Sequence, residues 1–190
     1  MQNPDHGFGS YEKARVGTYI ELLNPAEVFD RCMVEYSYPE CTTAVVTALS
    51  MFRTHYPSHA SRHIEETIQS AMKFLKGSQR ADGSWYGSWG ICFTYGTMFA
   101  LEGFAATGLS YGTSEEVRRA CNFLVKKQKD DGGWGEHWSS CERQEYVEHD
   151  ESQVVNTAWA VIGLMAAQYP ERAVIARGLD VSCYLRALAM

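Results

Sequence analysis

The sequence predicts an all-α protein built from helical hairpins, on three observations. Amphipathic segments alternate with segments that are apolar nearly all round. A short string containing Gln, Asp and an aromatic residue recurs three times, twice directly after an amphipathic segment. No run alternates polar and apolar residues beside a hairpin turn, so strands are not expected.

The elements follow in order. Thr42 to Tyr56 is strongly apolar and stops before Pro57, whose ring and missing N–H cannot continue a helix. Ala60 to Lys76 sets Ile64, Ile68, Met72 and Leu75 on one stripe, with Gly77 as its stop. Cys92 to Thr107 carries Phe93, Tyr95, Met98, Phe99, Leu101 and Phe104, and Gly108 closes it. Thr113-Ser-Glu-Glu116 reads as a capping box. It opens a helix to about Lys127 with Val117, Ala120, Cys121 and Leu124 on its apolar side. Gln153 to Tyr169 is again apolar and ends before Pro170. A helix apolar on every side is expected to be buried. The alternation therefore predicts two concentric helical layers, with the inner ring enclosed by the outer.

Composition bounds the function. The chain has 190 residues, room for one domain with a real core, and 45% of them are hydrophobic, so disorder is not expected. Its formal charge of −6, with scattered Lys and Arg, excludes the basic patch of a nucleic-acid binder. Val154 to Ala167, the longest apolar-leaning stretch, is interrupted by Asn156 and Thr157 and too short to span a bilayer. Polar residues follow Met1, so no signal peptide is expected. The six cysteines (32, 41, 92, 121, 141, 183) show no tight pairing pattern and fit a reducing cytosolic setting better than a disulfide scaffold.

The recurring string is Gln-x-x-Asp-(Gly/His)-(Gly/Ser)-aromatic. Its copies run from Gln2 to Phe8, Gln79 to Trp85 and Gln128 to Trp134. The expectation is structural: Asp-Gly lets the chain leave a helix through positive φ, and the aromatic packs on the preceding helix. The Gln can bond exposed backbone at a neighbouring helix end. A carbohydrate-binding or catalytic role for Asp82 or Asp131 is the weaker reading, since a turn Asp usually bonds its own backbone.

These turns resemble the QW motifs of the oxidosqualene (triterpene) cyclases, the first with Phe in place of Trp. Further strings are similar to oxidosqualene cyclases of the lanosterol synthase type. They are Met1 to Glu12, Leu22-Leu-Asn-Pro-Ala-Glu-Val-Phe29, Glu35-Tyr-Ser-Tyr-Pro-Glu-Cys-Thr42, Gly83 to Gly96, and Tyr146 to Gly178 with Asn156-Thr-Ala-Trp159. The resemblance covers residues 1 to 178 in order. It implies part of an α/α toroid, with 179–190 a divergent tail. Pro39-Glu-Cys-Thr-Thr-Ala44 and Phe93-Thr-Tyr-Gly-Thr97 look closer to fungal sterol-type cyclases than to plant amyrin synthases.

The implied chemistry is that of an isomerase, with no metal or redox cofactor. A carboxylic acid protonates the epoxide of 2,3-oxidosqualene, and aromatic faces steer the cation to a sterol or triterpene alcohol such as lanosterol. Each cation–π contact is worth roughly 0.5–2 kcal/mol. Residue by residue, the resemblance assigns three cavity positions. Cys41 matches the cysteine that hydrogen-bonds the catalytic acid; Tyr11 and Trp89 match aromatic residues that stabilise the cation. Gln2, Phe8, Gln79, Trp85, Gln128 and Trp134 are the structural repeat positions. The implied partner is a 2,3-oxidosqualene-type lipid, with no nucleic acid. Attachment to the cytosolic face of the endoplasmic reticulum or a lipid droplet is implied for the full-length enzyme.

The sequence also departs from that pattern. The initiating Asp-Cys-Thr-Ala-Glu motif is absent, and Leu179 to Met190 follows no family pattern. Both ends are expected to be cut, and the isolated chain is expected to be inactive. One rival reading is a non-catalytic helical module that binds lipid or a partner. Another is a protein prenyltransferase β-like subunit. The latter needs zinc, for which only His59 and His63 have ligand spacing.

Overall fold

The computed structural model describes residues 2–11, 17–25 and 33–188, and among these no strand occurs. Among the described residues seven α-helices follow a short 3-10 segment, Thr18–Leu23: α1 (Pro39–His55), α2 (Ser61–Gly77), α3 (Cys92–Ala106), α4 (Glu115–Lys126), α5 (Ser139–Arg143), α6 (Val154–Ala166) and α7 (Arg172–Leu188). The three wholly apolar helices lie side by side, α3 between α1 and α6. The amphipathic α2 backs α1, α4 packs behind α3 and α6, and α7 backs α6. This is the expected pair of layers.

Burial refines the expectation for the inner helices. α3 buries Phe93, Leu101 and Phe104 completely. α1 and α6 do not follow it all round: Met51 and Phe52 on α1, and Val155, Ile162 and Met165 on α6, are exposed. Their other faces supply Val46, Ala160, Val161 and Leu164 to the core. Apolar residues on both faces therefore mean one face against the outer layer and one lining an inner surface.

Helix starts differ from the sequence expectation for local reasons. α1 begins at Pro39, three residues before Thr42, because a proline at the first helical position has the right φ and lacks only an N–H the helix does not use. α4 is capped by Ser114, which accepts from the Val117 N–H, and not by Thr113. The Thr113 hydroxyl is already engaged by the turn, where it accepts from the Ser110 N–H at 2.9 Å. α7 crosses the boundary expected near residue 178.

The three repeat turns share one hydrogen-bond plan. The Gln side chain donates twice: to a carbonyl inside its own turn and to one in the next outer helix. Gln79 reaches Gly83 (3.0 Å) and Glu116 (2.9 Å), Gln128 reaches Gly132 (2.8 Å) and Val174 (2.9 Å), and Gln2 reaches His6 (2.8 Å) and Thr67 (3.5 Å). The Asp side chain accepts from the backbone two residues on, at Gly7, Ser84 and Gly133. The aromatic residue's N–H donates to an inner-helix threonine: Phe8 to Thr42, Trp85 to Thr97, Trp134 to Thr157. The indoles add a bond that Phe8 cannot make. Trp85 donates to the Leu75 carbonyl and Trp134 to the Leu124 carbonyl, each at 2.7 Å. Both carbonyls sit in a last helical turn, where the next N–H of the ladder is missing.

One position in the plan is strained. Gly83 and Gly132 take φ of +95° and +96°, and the first copy has His6 there at +73°. A side chain in the left-handed region costs about 0.5–1 kcal/mol relative to glycine. His6→Gly is therefore expected to raise stability by about that amount, read as a higher urea midpoint with unchanged slope.

Candidate functional site

The chemistry-bearing side chains gather where the start of α1 meets the loop from Trp85 to α3. Pro39 opens α1, which puts Glu40 and Cys41 in its first turn. The Glu40 carboxylate accepts from the Ser88 N–H (2.6 Å) and the Trp89 N–H (3.2 Å) through one oxygen. Its other oxygen is buried without a partner. The loop can lie this close because Gly87 has no side chain: a Cβ there would stand 2.6 Å from the Tyr95 ring and 3.1 Å from Glu40 Oε1.

Trp89 is thereby held against α1. Its indole meets the Tyr38 ring edge-on at 5.5 Å between centroids and shares a hydrogen bond with Cys41. It is 55% exposed. Tyr95 on α3 continues the aromatic surface, 4.9 Å from Phe99 and 4.9 Å from Trp159 of α6. Beside Trp159 a cavity of about 330 Å³ is lined by Ile91, Gln153, Val154, Val155 and Asn156.

Burial decides the protonation states. It pushes the Cys41 thiol up to about 11, with the Glu40 and Glu35 carboxylates adding to it and the Trp89 hydrogen bond opposing. Near neutral pH Cys41 is therefore an S–H donor and no nucleophile. Burial also raises Glu40, against the pull of the backbone N–H groups that it accepts. Tyr95 is pushed up to about 12, by burial first and then by Glu40 and Cys41. The surface thus presents π faces and a neutral thiol, which can stabilise a cation without capturing it.

Of the three positions assigned by resemblance, the structure brings Cys41 and Trp89 together. Tyr11 is 90% exposed, with its N–H donating to Glu35 at 3.3 Å, and shares no packed site with them. Sequence reasoning missed Glu40, Tyr95 and Trp159. The signal for Glu40 was partial: a carboxylate just after an N1 proline belongs in a first helical turn, but the N–H groups that it accepts come from Ser88 and Trp89, 48 and 49 residues on. Tyr95 and Trp159 lie 64 positions apart and meet only through the packing of α3 on α6.

His59 and His63 are both exposed, and among the described residues no group of three or more His, Cys, Asp or Glu could hold a metal ion. No helix of the described residues is long and apolar enough to cross a membrane.

A second buried carboxylate anchors the inner layer. Glu136 is wholly buried and accepts from the Phe93 and Thr94 N–H groups, each at 2.9 Å, capping α3 from another part of the chain. Cys92 and Cys141 touch beside it.

Comparison with known proteins gives this architecture its family. The fold is similar to ent-copalyl diphosphate synthase from Streptomyces platensis, with a TM-score of 0.63 at 22% identity over 86% of this chain and 30% of that one. In sequence the chain is 58% identical over 179 residues to lanosterol synthase erg7B of Aspergillus fumigatus, which is 94% of this chain and 25% of that one. It is 50% identical to human lanosterol synthase, over 97% of this chain and 25% of that one. It is 53% identical to cycloartenol synthase of Dictyostelium discoideum, over 94% of this chain and 26% of that one. The chain spans about a quarter of the length of these curated relatives. The model of the squalene-hopene cyclase C-terminal domain matches residues 1–187, nearly the whole chain, so the chain belongs to that family.

Proposed function

We propose that these residues form part of a terpene cyclase/mutase that converts (S)-2,3-epoxysqualene to a sterol or triterpene alcohol such as lanosterol. The observation that carries this reading is the 58% identity to a lanosterol synthase, sustained over 94% of the chain. The inner surface supports it with aromatic rings from α3, α6 and the Trp89 loop, beside a thiol that stays protonated. In this reading Trp89 faces a ring cation and Cys41 donates its S–H to the acid that starts the reaction. That acid belongs to an Asp-Cys-Thr-Ala-Glu motif, which these 190 residues do not contain. A reaction that begins with a proton needs its donor, so the polypeptide alone is proposed to form no cyclised product. Tyr11, exposed here, keeps a cavity role only through the resemblance.

A chimaera tests the proposal. Residues 1–187 replace the matching stretch of the Aspergillus fumigatus lanosterol synthase, and the product is expressed in yeast lacking its own cyclase. Sterol formation should return, while residues 1–190 alone leave oxidosqualene unchanged. Trp89→Ala in the chimaera should lower product formation roughly tenfold, about 1.4 kcal/mol of transition-state stabilisation, and Trp89→Phe should lower it less. A chimaera that accumulates in folded form yet cyclises nothing would sink the reading.

A further inference from the structure

Cys92 is the first residue of α3 and Cys141 lies in the five-residue α5, which packs on it. Their sulfurs are 2.6 Å apart, and their residues are 0% and 2% exposed. This is closer than two thiols approach by packing alone. Bonding distance, about 2.05 Å, lies only about half an ångström away. Around the pair stand Glu136, which caps α3, and Tyr86, which shares a side-chain hydrogen bond with Cys92. The cyclisation chemistry proposed above makes no use of two buried thiols outside its aromatic surface.

We infer that Cys92 and Cys141 are an oxidation site, which a small peroxide converts to an intrachain disulfide clamping α5 to the start of α3. The balance closes with peroxide as the two-electron oxidant. One peroxide oxygen transfers to the Cys141 sulfur, giving a sulfenic acid and releasing water. The Cys92 sulfur then attacks that sulfur and expels hydroxide, which takes the Cys92 proton and leaves as a second water. Cys141 reacts first because a five-residue helix opens more readily than the buried start of α3. Burial raises both thiols above the ordinary cysteine range, so oxidation is slow and paced by that opening. The clamp closes a long loop and holds the helix that carries Tyr95 and Phe99.

The test uses the purified, reduced chain, treated with a small molar excess of hydrogen peroxide, then unfolded in the presence of N-ethylmaleimide and digested. The expected result is a linked pair of peptides containing Cys92 and Cys141, two hydrogens lighter than the free peptides and separated by dithiothreitol. Intact oxidised protein should melt roughly 5–15 °C above the reduced form. Cys92→Ala should abolish that shift. Recovering both cysteines alkylated while Cys183 has been oxidised would overturn the inference. So would linkage of either one to a different cysteine, or a melting shift that survives Cys92→Ala.

Discussion

Replacing Trp134 by alanine is expected to remove about 4–5 kcal/mol of folding stability, a large share of the roughly 5–15 kcal/mol a folded domain possesses. Trp134 is wholly buried and joins three helices at once. Its indole N–H donates to the Leu124 carbonyl in the last turn of α4, and its backbone N–H donates to Thr157 on α6. Its ring lies against Gly178 of α7, where an added Cβ would approach it to 2.9 Å. Alanine deletes the ring and leaves a void between layers that stiff helices cannot collapse to fill. It also removes one of two bonds to the Leu124 carbonyl, the other coming from the Lys127 N–H. Trp134→Phe keeps most of the ring and loses that bond, at about 1–2 kcal/mol. Urea unfolding followed by circular dichroism separates the cases: both variants should unfold at lower midpoints than the wild type, the alanine variant by at least twice the drop of the phenylalanine variant. Equal losses for the two would mean that the ring contributes nothing beyond its hydrogen bond, contrary to the packing.

What the sequence showed of this fold, and what it hid, divides along the length scale of each interaction. The alternation of amphipathic and apolar segments reports which side of each helix meets the core, a local periodicity, and it placed α1, α2, α3, α4 and α6 within a few residues. The repeat turns were legible for the same reason, since Asp82 bonds Ser84 and Gln79 bonds Gly83 within one short string. Gln79 also reaches a carbonyl at the start of α4, a neighbouring helix end as expected, and the indole of Trp85 serves the end of α2, the helix before its turn. α5 was invisible because five residues carry no period. At the site, Cys41 and Trp89 came from resemblance, since nothing in their spacing joins them. Glu40, Tyr95 and Trp159 belong to the same surface only because α1, α3 and α6 lie side by side. That adjacency is tertiary and has no periodic trace.

The second large effect concerns Glu136, whose carboxylate looks misplaced in a core and yet has a defined task. Glu136→Ala should cost about 3–5 kcal/mol, because it strands the buried Phe93 and Thr94 N–H groups at the start of α3 and opens a void. Glu136→Gln retains an acceptor and should recover most of the loss. The two side chains also part company with pH. Burial raises the Glu136 carboxyl from its ordinary 4.5, more than the two N–H groups lower it. The folded state then holds its proton at pH values where the unfolded chain has released it. The stabilisation is complete below about pH 4.5 and is lost as pH rises through the folded-state value. Glutamine has no proton to release. The stability of the wild type relative to Glu136→Gln should therefore fall as pH is raised above about 4.5 and level off once Glu136 ionises in the fold. Paired urea titrations across that range read the difference directly and cancel every other titrating group common to both proteins. A difference that grows with pH would mean that the helix N–H groups outweigh burial, and that Glu136 is held as an anion by the start of α3.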